Sequence, residues 1–285
     1  MTQRARRALL GGVVAAAGIA FACTQVSTDP NSVLSLELLP PVLPSLVVDS
    51  QLHAATGAVD SLHATAYNSA GEPIVGAPVR FLYLFRKDTI RKDTVPRVEV
   101  DSVTGHVTGL DTGSARVIAY VGGLQTLPQT LFVVLPPNGV IPVNNTHYVL
   151  NYNQDSLRRD TLLPIRVRVV HVAGTDTTGV PHYLVRYKVT YPATLTNANP
   201  DTVQLVNSAG AAPKVNPLVS AAQIFDTTSV PSATVPISQS TLSLRATLLA
   251  LPYSDTVGID VFVSTQNNTP LPGSPVHFVI TLNIY

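Results

Sequence analysis

Hydrophobic and polar side chains alternate along most of this chain. Between Gly113 and Val121, Ala115, Val117, Ala119 and Val121 fall on one face, with Arg116, Ile118 and Tyr120 on the other. A side-chain period of two is that of a strand with one face on a core. The same pattern sets Leu62, Ala64 and Ala66 on one face of a strand over Ser61–Tyr67. It sets Val79, Phe81, Tyr83 and Phe85 opposite Arg80 and Arg86. Further on, Ile165, Val167 and Val169 alternate with Arg166 and Arg168. Tyr183, Val185, Tyr187, Val189 and Tyr191 oppose Arg186, Lys188 and Thr190. Val276, Phe278, Ile280, Leu282 and Ile284 give a last strand, and shorter ones are predicted at 33–38, 100–102, 106–108, 130–135, 202–206, 223–225, 242–248 and 257–263. No segment after residue 22 has a helical period, so the fold class is all-β.

Turn residues divide these strands. Thr104-Gly105, Thr112-Gly113 and Gly122-Gly123 mark reversals, the last a hairpin, because glycine reaches positive φ without a Cβ clash. Asn68–Gly71 and Gly174–Gly179 are predicted turns. Pro40, Pro41 and Pro44 interrupt the first strand, which predicts an edge strand that changes sheet. Pro136-Pro137-Asn138-Gly139 is the best boundary, since two prolines stiffen it and forbid strand continuation. On each side of it a strand, a Gly turn and an aromatic strand with an Arg on the far face follow one another, a weak internal repeat. Asp-Thr pairs at Asp88, Asp93, Asp111, Asp160, Asp176, Asp201, Asp226 and Asp255 fit loop-to-strand junctions, because Asp starts turns and Thr is β-branched.

The segments Val100-Asp101-Ser102, Gly105–Gly109 and Gly113–Ala119, with the upstream hairpin Ala66–Gly76, resemble the group 2 bacterial immunoglobulin-like domain over Val33–Val134. That family has a Trp on the strand after its first hairpin; this chain has none, and Phe81 or Tyr83 takes the place. The resemblance implies sandwich modules that act as spacers or adhesins, not enzymes. About a hundred residues make one such sandwich. The expected architecture is two tandem immunoglobulin-like antiparallel β-sandwich domains: 1–22 a signal peptide, 23–32 a lipidated tether, 33–135 the first domain, 136–139 a linker and 140–285 the second domain.

Composition narrows this further. Charged residues are 12% and hydrophobic residues 45%, which excludes disorder over most of the 285 residues. Eighteen basic residues less the three of the leader leave fifteen against seventeen acidic, and no basic footprint for nucleic acid. With a single cysteine no intramolecular disulfide can form, so the sandwiches rest on their cores alone.

The N-terminus reads as an export signal. Arg4, Arg6 and Arg7 precede an apolar run from Ala8 to Ala22, and Ala20-Phe21-Ala22 offers small residues for cleavage. The run is short for a membrane span. Cys23 follows directly, and this resembles a bacterial lipoprotein signal, which implies lipid attachment at Cys23 and a membrane partner. Several acyl chains hold a protein to a bilayer. Cleavage leaving a free thiol is the alternative. Thr24, not Asp, follows, which by resemblance favours the outer membrane; the expected location is lipid-anchored at the outer membrane or cell surface. Thr24–Ser32 is a polar tether.

Chemistry-bearing patterns are few. There is no G-x-S-x-G elbow, no Walker lysine and no H-E-x-x-H pair, and the three Glu (Glu37, Glu72 and Glu99) sit in no motif. The seven His are scattered; His53 and His63 are weak candidate ligands beside a surface reading. Asn151-Tyr152-Asn153-Gln154-Asp155 opens like a calcium loop, but Ser156 and Leu162 stand where Gly and Glu are needed, so a polar turn competes. The Arg86–Thr94 cluster is either a patch for an anionic partner or a solvated hairpin tip whose charges nearly cancel. Asn144-Asn145-Thr146 and Asn267-Asn268-Thr269 fit a sequon, without weight in a bacterial export context. No catalytic residue, metal or cofactor is expected. Three functions remain in view. The first is an adhesive or structural envelope module with a protein or polysaccharide ligand. The second is a periplasmic accessory subunit of a transport or assembly complex. The third is an enzyme with its site in Ala193–Pro236, a segment without paired acid and base residues.

Overall fold

The computed structural model describes residues 32–85, 96–152, 161–191, 203–207, 224–233, 237–246 and 255–284. Among them every regular element is a strand. The first sandwich comprises β1 (Ser35–Leu38), β2 (Ser45–Val47), β3 (Ala64–Tyr67), β4 (Arg80–Leu84), β5 (Val98–Val100), β6 (Val107–Gly109), β7 (Gly113–Val121), β8 (Leu124–Gln125) and β9 (Gln129–Val134). One sheet runs β2-β9-β7-β4, with β8 folded back on β7; the pairs β1-β3 and β5-β6 make the other side. Leu46, Phe81, Val117, Ala119, Leu131 and Val133 of the first sheet meet Leu52, Leu62, Val98 and Val107 in one core. The proline-broken start behaves as expected. β1 pairs with β3 and, beyond Pro44, β2 pairs with β9 in the opposite sheet.

The second sandwich comprises β10 (Gly139–Pro142), β11 (His147–Tyr152), β12 (Thr161–Ala173), β13 (Asp176–Gly179), β14 (Leu184–Tyr191), β15 (Val203–Val206), β16 (Ile224–Thr227), β17 (Ser240–Ala246), β18 (Asp255–Phe262) and β19 (Val276–Ile284). Its sheets run β10-β12-β17-β15 and β11-β19-β18-β14-β16. In chain order these are the A-B-E-D and C-F-G sets of an immunoglobulin sandwich. Ile165, Val167 and Val169 of one sheet and Val185, Tyr187, Ile259 and Phe278 of the other are buried against each other. The alternation therefore located the core faces of β7, β12, β14 and β19 correctly.

Several expectations need correction. The sheets are not wholly antiparallel: β2 runs parallel to β9, and β11 parallel to β19. In both sandwiches an early strand thus closes onto the last, a repeat clearer in topology than in sequence. Gly174–Gly179 is not all turn, because Asp176–Gly179 pairs back on β12 and only the Gly174 reversal is left. Its Asp-Thr pair opens that hairpin strand straight after the turn, as expected of a loop-to-strand junction, whereas the Asp226-Thr227 pair ends β16 instead of preceding a strand. Phe85 is 65% exposed, since β4 stops at Leu84 and the alternation stops with it. Ile118 is buried like its neighbours Val117 and Ala119, so at that level both faces of β7 are covered. Of the two candidates for the missing tryptophan's place, Phe81 is the buried one.

The Gly105 position in the first sandwich is sterically restricted to glycine. Gly105 has φ +72°, and a Cβ there would lie 2.8 Å from the Leu62 carbonyl oxygen and 2.9 Å from the Phe81 ring. It lets the β5–β6 turn close on the top of the core.

Candidate functional site

The described cavities with the most internal space lie where the two sandwiches meet. The connection between them is bound into the second sheet. Asn138 donates its backbone N–H to the Val170 carbonyl (3.0 Å). Its side-chain amide donates to the Val172 carbonyl and accepts from the Val172 N–H, both at 2.8 Å. The His171 ring Nδ1–H donates to the Pro136 carbonyl at 2.7 Å. A prolyl segment cannot extend a ladder through its own nitrogens, so these side chains make the missing links. On the other flank the buried Gln266 donates through Nε2 to the Ser45 carbonyl at 2.9 Å. Gly57, at φ +89°, packs against the backbone of Asn267, which a Cβ would approach to 2.7 Å. Val47 and Val134 of the first sandwich join the apolar cluster of the second.

The centre of the junction is a held histidine. Thr228 Oγ1 donates to the Val180 carbonyl (2.6 Å) and accepts from the Tyr183 N–H (2.8 Å), while the His182 N–H donates to the Thr228 carbonyl (2.8 Å). This clamp holds His182 at φ +56°, a left-handed conformation few non-glycine residues adopt. Its imidazole lies flat on the Phe132 ring, centroids 3.6 Å apart and planes 9° from parallel. Burial holds its pKa below the ordinary histidine value, so the neutral ring is favoured. Beside the stack is a cavity of about 430 Å³ lined by Phe132, Val134, Val180, Pro181, His182 and Val230. A smaller one, about 260 Å³, lies between His53, Pro136, Tyr183 and Gln266. Tyr183 donates its hydroxyl to the Ser264 carbonyl at 2.8 Å, and burial raises its pKa. Arg186 Nη1 donates to Asn268 Oδ1 at 3.2 Å, with burial disfavouring its charge.

One polar chain crosses the second core. The Tyr187 hydroxyl donates to Ser240 Oγ (2.7 Å), which donates to Asp226 Oδ2 (2.6 Å); the Thr241 N–H also reaches that oxygen (3.0 Å). Serine beside a carboxylate suggests nucleophile chemistry, but no imidazole takes part. Tyr187 and Ser240 are both fully buried. No substrate atom can approach, and burial pushes the Tyr187 pKa up. The chain satisfies buried polar groups and does nothing else that its geometry allows. The junction cavities, by contrast, can accept an apolar group or act as a rigid seam; Ser50 and His53 both line the smaller one, and their side chains both bond the Gln51 carbonyl.

Of the residues singled out in the sequence, His53 lines the smaller junction cavity. Cys23 and the Arg86–Thr94 cluster are outside the described residues. His53 Nδ1 is 2.7 Å from the Gln51 carbonyl and His63 Nε2 is 2.8 Å from Asp60 Oδ1, so the two serve separate partners. Among the described residues no group of three His, Cys, Asp or Glu side chains could hold a metal. The backbone at Asn151 and Tyr152 is strand, in parallel register with Asn283 and Ile284, and not the opening of a calcium loop; Asn153–Asp155 lie outside the described residues. The junction residues Phe132, His182, Thr228 and Gln266 carried no motif. The Pro136-Pro137 boundary, His53 and the Asn267 sequon fell in this region, the last two for reasons unrelated to a seam.

No family model matches the chain, and no curated protein matches it. Among solved structures it is similar to domains 4 and 5 of the S-layer protein SbsC. The identity is 13%, the coverage 89% of this chain and 98% of that one, and the TM-score 0.27. It covers only 28% of the longer SbsC structure. It is also similar to the Yersinia pseudotuberculosis adhesin InvE, with 14% identity, 87% and 58% coverage and a TM-score of 0.26. A third is Rst D1-D2, with 10% identity, 88% and 100% coverage and a TM-score of 0.27. Superposition at this level carries no weight, and the fold rests on the strand order described above.

Proposed function

We propose that this chain is a non-enzymatic envelope lipoprotein, an adhesive or structural module of two domains, 33–135 and 140–285, held to a membrane through lipid on Cys23. The observation that carries the reading is the seam between the sandwiches. Gln266 and Gly57 join them through backbone contacts, Asn138 and His171 bind the linker to the second sandwich, and Val47 and Val134 extend the apolar cluster across the seam. A seam of this kind transmits position and load between modules, where a catalytic cleft would need convergent titratable groups. The leader and Cys23 support export and anchoring. The ligand is a protein or polysaccharide of the envelope or of a surface outside it.

The test has two arms. Small-angle scattering of the mature fragment should fit one fixed arrangement of the two sandwiches. Gly57→Val, strained at positive φ and facing the Asn267 backbone, should broaden it. A wild-type fragment that already scatters as two freely hinged bodies would remove the support. Protease shaving of intact cells then separates a surface module, which is cut, from a periplasmic accessory subunit, which is protected.

A further inference from the structure

The first sandwich has a free end, and its chain entry is there. Ser35, which opens β1, registers with Tyr67, the last residue of β3, and the Leu34 N–H donates to the Tyr67 carbonyl. The chain therefore enters where β3 leaves for the 68–79 connection. Arg80, the first residue of β4, registers with Tyr120 near the end of β7, so the 122–128 connection opens at the same end. The 101–106 turn lies beside them. The Phe81 N–H donates to the Ser102 carbonyl, and Gly105 packs on the Phe81 ring. The junction with the second sandwich is at the opposite end, where β9 finishes at Val134.

Three apolar side chains at this free end are uncovered. Val75 is 97% exposed, Leu127 90% and Val103 62%. Val75 and Leu127 are the two most exposed large hydrophobic residues among those described. They are not loose ends. The Ile74 N–H is bonded to the Ala66 carbonyl, and Gly76 at φ +78° turns the chain beside Val75. Asp101 Oδ1 accepts from the N–H groups of Val103 and Thr104, fixing the turn that carries Val103. Thr126 is buried, with its N–H bonded to the Ala119 carbonyl and its hydroxyl accepting the Ala119 N–H, which anchors the residue before Leu127. Singly exposed apolar residues are ordinary, but three held by ordered loops at one end of the sandwich form a candidate interaction surface.

The position of the chain entry says which surface. From Cys23 to Ser32 the covalent chain can span at most about 30 Å, and a flexible tether averages roughly 17 Å. We propose that the free end of the first sandwich rests on the phospholipid bilayer that holds the N-terminal lipid, with Val75, Val103 and Leu127 entering its headgroup region. The proposal rests on the anchoring reading above. Glu72 and Asp101 are exposed at this end, which disfavours an anionic surface, so the lipid addressed is zwitterionic. The second sandwich is then the part directed away from the membrane.

The test uses the full chain, purified with its native N-terminus and reconstituted in phosphatidylcholine–phosphatidylethanolamine vesicles containing headgroup-nitroxide lipid. Intact mass first reports whether Cys23 carries lipid. A lipidated Cys23 has no free thiol, so Val75→Cys, Leu127→Cys and Val230→Cys can each be labelled singly with an environment-sensitive fluorophore. The first two should be quenched several-fold more than the third, which is in the cavity beside the seam. In the unsubstituted protein, amide exchange over 73–77 and 124–128 should slow on reconstitution while 228–232 stays unchanged. Lipid on Cys23 with equal quenching at all three sites and no slowing overturns the loop surface alone. An unmodified Cys23 overturns the anchoring reading and this proposal with it.

Discussion

The two sandwiches share a strand order but hold together by different means. The second buries side-chain volume: its cluster draws Tyr187, Phe278, Leu242, Leu244, Ile165 and Ile259 from long strands in two continuous sheets. The first has a smaller cluster with Val117, Ala115, Ala119 and Val107 at its centre, and its second side is split into two-stranded pairs. It closes by backbone approach, with Gly105 under the Phe81 ring and Gly109 against the Val47 carbonyl. One topology thus tolerates two routes to a dry interior, which differ in the balance between side-chain volume and backbone approach. The second should be sensitive first to lost volume, although Gly273, where a Cβ would run into the Val140 carbonyl oxygen, is a close approach of its own. The first, with less volume to lose, should be sensitive chiefly to an added Cβ.

The largest effect is expected from Phe278→Ala. Its ring is 1% exposed between the two sheets of the second sandwich. Large-to-small changes of an aromatic in a core cost about 3–5 kcal/mol. Denaturant unfolding followed by tyrosine fluorescence should show the second sandwich's transition moved to much lower denaturant while the first sandwich's stays in place. If both transitions move together, the sandwiches unfold as one body and the contrast between them is void.

Gly105→Ala is the counterpart in the first sandwich. A left-handed non-glycine residue costs about 1–2 kcal/mol. Displacing the Leu62 carbonyl and the Phe81 ring adds about 1–3 kcal/mol. The expected sum, roughly 2–5 kcal/mol, should fall on the first transition only. An equal change in the second sandwich, such as Gly174→Ala, meets no atom within 4 Å and should cost only the conformational part.

These two positions also show how far the sequence could be read. The alternation at Ala115–Val121 and Tyr183–Val189 pointed to the buried faces because a strand's period is local. Gly105 was legible as a turn, but not as a residue against which Phe81 closes, since that contact spans the sheet. The short strands β2, β10 and β11 were missed. Each is an edge with little pattern of its own, recruited by a partner far along the chain: Ser45 to Phe132, Val140 to Val169, His147 to Val279. The seam was legible only as a proline pair. Thr228 clamps a loop more than forty residues away, and nothing near Thr228 or His182 in sequence announces it.

A smaller effect separates volume from polarity in the second core. Tyr187→Phe keeps the ring and removes the hydroxyl that donates to Ser240. Ser240 still donates to Asp226, so a single neutral hydrogen bond is lost, worth about 1 kcal/mol. Ser240→Ala should cost more, because it leaves the buried Tyr187 hydroxyl without a partner. Should the two variants prove equal in urea melts, the polar chain contributes nothing beyond packing.

The smallest effect expected is a dependence on acid confined to the first sandwich. Asp101 accepts from the backbone N–H groups of Thr104 and Val103, and these bonds hold its pKa below the ordinary carboxylate value. A carboxylate depressed on folding stabilises the fold above its unfolded pKa, near 3.9, and that contribution is lost as the pH falls through the lower folded value. The first transition should therefore weaken below about pH 4 by a small step that Asp101→Asn removes, because the amide keeps the acceptor oxygen but does not titrate. The second sandwich serves as the internal reference in the same melts. Asp101 lies in the β5–β6 turn of the first sandwich, so Asp101→Asn should leave the second transition unaltered at every pH. A step that persists in Asp101→Asn would assign the acid sensitivity of the first sandwich to another carboxylate, with Asp60 the next to replace. The Ser61 N–H and His63 both bond Asp60, and its pKa is likewise lowered.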